Sequence, residues 1–193
     1  MIKRYAACLI AILCLVTSLS GNASASLEVS VDTEYYSVYG ETREEINRSL
    51  QENGPIGESG ENVTALTKTD LQWHINMLMD DFSCHTTSVT VRAEITLILP
   101  KLEDIEYLEP KLALEWMEFM SAVERHEDRH RIISETSAAK TEMSLLNMGP
   151  EGSCDELKAR ANAIGDNVHE ESQELNRKYD LDTRHGKDQG VVF

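Results

Sequence analysis

Basic residues are in short supply: 18 Lys and Arg stand against 34 Asp and Glu, a formal net charge of −16 in 193 residues. That balance argues against nucleic acid or anionic lipid as a partner. It suits cationic peptides as substrates, and equally a solvated acidic surface that keeps the chain soluble. Long apolar runs are missing beyond the first residues, so no membrane span is expected after them. Proline occurs four times, and Pro55, Pro100, Pro110 and Pro150 each fall where an element is expected to begin or end. Cysteine also occurs four times, never in a C-x-x-C spacing, which weakens a zinc-ligand role for it. There is no internal repeat and no low-complexity segment.

The one apolar run that does occur opens the chain. Lys3 and Arg4 precede the run 6–16, too short to cross a bilayer, and Ala23-Ser24-Ala25 forms an A-x-A cleavage site. This is the pattern of a secretory signal peptide over residues 1–25. Its removal leaves one domain, residues 26–193, with the net charge moved from −16 to −18 by loss of two cations. The expected location is periplasmic or extracellular. Cys8 and Cys14 leave with the leader, so Cys84 and Cys154 remain in an oxidising compartment. A Cys84–Cys154 disulfide is expected over two free cysteines or two zinc ligands. Closing a loop of roughly 70 residues contributes on the order of 4 kcal/mol in the chain-entropy model.

The pattern after the leader is α+β. Leu27-Glu28-Val29-Ser30-Val31 alternates as a first strand, continuing or bending into 33–39. Thr42-Arg43-Glu44-Glu45 is a capping box that opens a short helix carrying Ile46 and Leu50 on one side. Gly54 is expected as its left-handed cap, with Pro55 forbidding continuation. Residues 56–62 read as a surface loop. From 65 to 100 the period is two, in two runs flanking a turn at 80–86 that contains Cys84. This reads as a long antiparallel hairpin ended by Pro100. Residues 110–148 have the spacing of one long helix, with Pro110 in its first turn. Ser153 with Glu156 makes a second capping box, opening a helix that runs toward Tyr179. Leu157, Ala161, Ile164, Val168 and Leu175 are its expected packing positions. The tail 180–193 reads as an ordered polar loop. The architecture expected is thus a strand, a short helix and a hairpin sheet packed on two long C-terminal helices.

Within the long helix stands His126-Glu127-Asp128-Arg129-His130. An HExxH pattern arises by chance about 0.02 times in a chain of this composition. Histidines four apart share a helix face and can grip one Zn²⁺, and the glutamate between them can take a proton from metal-bound water. Leu112, Trp116, Phe119, Val123, His126, His130 and Ile133 follow alternating steps of four and three, so both imidazoles continue an inward stripe. A catalytic zinc needs a third protein ligand. A histidine six residues past His130 is excluded, because Thr136 stands there. Glu170 or Glu171 on the next helix, and Asp180, Asp182 or His185 beyond it, stay open. His185, followed by Gly186 in a polar loop, is the preferred ligand. His74, His85 and His169 read as ordinary polar residues, and Tyr179 as a packing residue.

The chain resembles the bacterial family of predicted secreted zinc-dependent proteases, a domain of unknown function (family 922). The likeness runs over nearly all of the mature chain. Tyr35-Tyr36-x-Val38-x-Gly40, Gly54-Pro55, Trp73 and Leu99-Pro100 carry it first. Trp116-x-x-Phe119, His126-Glu127-x-x-His130, Tyr179-Asp180-x-x-Thr183-x-His185-Gly186 and Gln189-Gly190 carry it onward. The resemblance implies a zincin-like fold, with His126, His130 and His185 as zinc ligands and Glu127 as the base. Two functions follow as expectations. One is a zinc metalloendopeptidase acting on peptide or protein substrates. The alternative is a non-catalytic envelope protein that binds metal or a partner. The oligomeric state is not legible.

Overall fold

The alternation of Val89, Val91, Ala93, Ile95, Leu97 and Leu99 builds the central strand of the molecule, and all six side chains are buried. The structure is a computed structural model that describes residues 23–57, 60–103 and 105–193. The signal-peptide reading falls almost wholly on 1–22, outside the described residues. The first strand, β1 (Ser24–Val38), runs unbroken through what the sequence reads as a strand with a possible bend. After it come α1 (Arg43–Asn53), β2 (Leu66–Met79), β3 (Cys84–Leu102), α2 (Pro110–Leu146) and α3 (Cys154–Thr183). The sheet has the order β1-β3-β2, with β1 parallel and β2 antiparallel to β3. The α+β architecture matches the sequence reading, with two long helices laid on a three-stranded sheet.

Several local expectations are refined. Thr42 caps α1 and Glu45 reaches back to complete the box. Gly54, however, has φ −62° and is not a left-handed cap. A Cβ there would come 2.3 Å from the Val63 carbonyl, so the glycine serves a close approach of two backbones. Pro100 does not end β3, which continues to Leu102 paired with β1. It is tolerated because β2 pairing stops at Ile98, so one side of the strand there needs no N–H. Cys84 opens β3 and does not lie in the turn before it. Its disulfide to Cys154 is formed, with Cα atoms 5.0 Å apart across a separation of 70 residues. It ties the start of β3 to the start of α3.

Ser153 accepts from the Glu156 N–H, but the return half of that box is absent because the Glu156 carboxylate bonds the Ser153 hydroxyl instead. The larger difference is at the far end of α3. The helix continues to Thr183, so Asp180 is a helical residue and not part of a loop.

Core packing divides along α2. Trp116, Phe119 and Val123 join Val38, Ile46, Ile95 and Leu99 in one apolar cluster. Ala138 and Leu145 join Val89, Val91 and Ala161 in a second. Between them, α2 buries His126, Glu127, His130, Ser134 and Ser137. The HExxH stretch therefore occupies a polar waist between two apolar clusters, with the sheet on one side and α3 on the other. No helix among the described residues is long and apolar enough to cross a membrane.

Candidate metal centre

Histidines four apart on α2 meet two polar residues four apart on α3. The helices run antiparallel, so His126 faces Asp180 and His130 faces Asn176. Asp180 Oδ1 lies 3.1 Å from His126 Nε2 and 3.0 Å from His130 Nε2, and the two Nε2 atoms are 3.3 Å apart. Behind the rings, His126 Nδ1 is 2.9 Å from Gln189 Oε1 and His130 Nδ1 is 2.8 Å from Asn176 Oδ1. Each amide oxygen can only accept, so each ring donates from Nδ1 and turns its Nε2 lone pair inward. Two lone pairs and a carboxylate then converge with no donor among them. A buried cluster of this kind requires a cation, either a proton on a ring or a metal ion.

The spacing suits a metal. Bonds of about 2.0–2.1 Å at tetrahedral angles separate donor atoms by about 3.3 Å. His126, His130 and Asp180 form a group that can hold a metal ion. Two histidines and a carboxylate are the donor set of one class of catalytic zinc site, and amides bonded to the far ring nitrogens fix ligand tautomer and orientation. The two rings are nearly covered, whereas the Asp180 side chain is 28% exposed. The group is open to solvent on the carboxylate side.

The electrostatics carry the same signature. At His130, burial opposes the charged ring, but hydrogen bonds to Asp180 and Asn176 outweigh it and raise the pKa. At Asp180, burial likewise opposes the charge, and the two histidines overcome it to hold the carboxyl well below the usual range. Glu127 is buried, and loss of solvent pushes its carboxyl upward despite a 2.7 Å hydrogen bond donated by the Thr67 hydroxyl of β2. Tyr179 stacks on His126 with ring centroids 4.9 Å apart, and meets His130 edge-on at 5.2 Å. It packs on the histidine pair, as its sequence context suggests.

The structure brings Asp180 to the histidine pair and leaves His185 outside. The His185 side chain is exposed, and its contribution is its backbone N–H, which closes α3 on the Asp180 carbonyl at 2.6 Å. His185 adopts φ 53°, and the chain then turns through Gly186. Asp182 pairs with Lys178 and Glu171 with Lys140 on the surface, while Glu170 is exposed. His169 and His74 are exposed, and His85 stands 3.7 Å from Asp80. Sequence reasoning missed Thr67 and Asn176, and named Gln189 only among the residues of the family resemblance, with no role at the site. A signal for Asn176 existed: it stands four residues before Asp180, the spacing of the histidine pair it faces.

A model of bacterial proteins of unknown function, DUF922, matches residues 33–186. The chain belongs to that family. No curated protein and no solved structure matches it. The span matched to DUF922 contains the HExxH stretch, Asn176 and Asp180, and ends at Gly186. Gln189 lies beyond it.

Proposed function

We propose that this DUF922 chain is an exported zinc-dependent metallopeptidase, a single zincin-like domain over 26–193 after loss of a leader at 1–25. His126, His130 and Asp180 hold the metal, with Asp180 in the place the sequence assigns to His185. The carrying observation is the convergence of two histidine Nε2 atoms on one carboxylate oxygen, with the buried Glu127 next in the chain to the first of those histidines. The donor set alone also fits other divalent metals. Glu127 is what favours hydrolysis over oxidation chemistry, because burial raises its carboxyl above the ordinary range and makes it a better proton acceptor.

A bound divalent ion would polarise the substrate carbonyl and make water a better nucleophile. Glu127 takes the proton of the attacking water and delivers it to the leaving amine. The Thr67 hydroxyl holds one Glu127 oxygen and leaves the other for that transfer. Asn176 and Gln189 keep the imidazoles in the Nδ1–H tautomer. β2 is an edge strand of the sheet and carries Thr67, so an extended peptide can add to it by main-chain pairing near Glu127. The disulfide fits an oxidising compartment, which supports export.

The test is metal content and peptide hydrolysis of the purified protein beside Glu127→Gln. We expect near-stoichiometric zinc in both and hydrolysis in the wild type alone. Zinc retained by a wild type that cleaves no peptide would favour the metal-binding, non-catalytic reading. Cleavage retained by Glu127→Gln would remove Glu127 from the base role.

A further inference from the structure

The segment 184–193 follows α2 backwards. Gly186 lies at His126, where a Cβ would come 3.1 Å from the ring Cγ. One turn of α2 earlier, Gly190 lies at Ala122, with a Cβ contact of 3.4 Å. A further turn back, the Phe193 ring reaches Phe119 and Trp116, with centroid distances of 5.3 Å to each. The Arg43 guanidinium caps the same ring at 5.1 Å. Both glycines have positive φ, 75° and 98°, which side chains rarely tolerate. The segment is thus shaped to lie flat on the helix that carries both histidines.

Its functional contact is Gln189. That side chain accepts from His126 Nδ1 and exchanges a hydrogen bond with the Tyr179 hydroxyl, 3.1 Å from its Oε1. A glutamine on a free tail would give up most of that contact, because fixing its backbone and side-chain rotamers costs conformational entropy. The bonds of Gln189 N–H and Val191 N–H to the Gly186 carbonyl, 2.9 and 3.0 Å, shape the turn but do not attach it to the body. At its start the segment is pinned to the end of α3, by His185 N–H on the Asp180 carbonyl at 2.6 Å and Gly186 N–H on the Thr183 hydroxyl at 3.2 Å. Beyond Gln189 its attachment to α2 is apolar, through Val191 and Phe193 packed against the Trp116–Phe119 cluster.

We infer that Phe193 is a positioning residue for the metal centre: its ring seats 184–193 along α2 and thereby holds Gln189 on His126. This rests on the metal reading above and extends it to residues beyond the span matched to DUF922. Phe193 touches no ligand. It acts through Gln189 on the tautomer and orientation of one ligand ring.

The experiment compares wild type, Gln189→Ala, Phe193→Ala, Phe193→Tyr and the Gln189→Ala/Phe193→Ala double variant, all in the full chain. Zinc affinity is read by chelator competition. The His126 tautomer is read by ¹⁵N-histidine NMR in metal-free protein. Gln189→Ala is expected to weaken zinc about 10–100-fold. Phe193→Ala should weaken it in the same direction and lose the fixed Nδ1–H signal, Phe193→Tyr should restore both, and the double variant should bind no more weakly than Gln189→Ala. Should Phe193→Ala not fold, Phe193→Leu is read in its place. Wild-type affinity and tautomer in the Phe193 variant would overturn the inference, as would independent, multiplying effects in the double variant. A wild type that takes up no zinc would sink the metal reading, and the tautomer measurement would still decide whether Phe193 holds Gln189 in place.

Discussion

Asp180 and His185 are five residues apart, and they divide the work of one turn. Asp180 is on the last turn of α3 and offers a side-chain oxygen to both histidines, whereas His185 offers a backbone N–H to the Asp180 carbonyl. Their variants should therefore separate. Asp180→Asn removes the charge that would compensate a bound metal and is expected to lower zinc affinity by a factor of 100 or more, on the scale of a lost charge-assisted contact of about 3 kcal/mol. His185→Ala keeps the N–H and the turn, and should hold affinity within about threefold, less than 1 kcal/mol. Chelator competition on the two purified variants checks this; the reverse ranking would return His185 to the ligand set. The histidine pair and Glu127 were legible because a helix fixes which residues share a face. Asp180 was only one of several open candidates, because the decisive fact is where α3 ends. Tyr179-Asp180-Leu181-Asp182-Thr183 has no breaker before Gly186, and reading a loop from polarity alone moved the helix end too early.

At the level of elements, the same periodicities that marked β3 and α2 also set their packing, and the buried faces follow the expected steps. What periodicity did not show is how closely α3 approaches the sheet. Gly165 is buried on α3, and a Cβ there would stand 2.4 Å from the Trp73 indole of β2. A glycine inside a 30-residue helix costs about 1 kcal/mol in propensity, which reads from sequence as a weakness. In the fold it is the site where a large ring lies on bare backbone. Gly165→Ala is therefore expected to destabilise by about 1–3 kcal/mol through overpacking, outweighing the propensity gain. Urea unfolding measures it, and a variant more stable than wild type would show that Trp73 can move aside at little cost. Leu175, an expected packing position, is instead exposed beside Ile132 and Ile133 in a groove of about 380 Å³ between α2 and α3. The inward stripe of α3 narrows toward its end because Asn176 and Asp180 take over the facing positions.

Over the whole molecule, the polar waist is a stability problem that a cation resolves. Without metal, the resolving charge is a proton. His130 has a raised pKa, so its protonation stabilises the fold below its unfolded value of about 6.5, and that gain is lost as pH rises through the folded value. Asp180 has a lowered pKa, so its contribution is present above about 3.9 and lost as pH falls through the folded value. The metal-free protein should accordingly be most stable in mildly acidic solution, roughly between those two values. Zinc competes with the same protons, because imidazole binds metal only when neutral. Its stabilising effect should grow as pH rises from about 5 to about 8. At a free concentration 1,000-fold above Kd the gain is about 4 kcal/mol, or roughly 8–16 °C in Tm for a domain of this size. Thermal melts with excess zinc and with chelator, taken across that range, give the test directly. The gap between the two curves should be small at the acid end and widen steadily toward the alkaline end. A gap that stays constant with pH would mean that whatever binds does not displace the proton from His130, and the paired histidines would then be holding the two helices together without a metal between them.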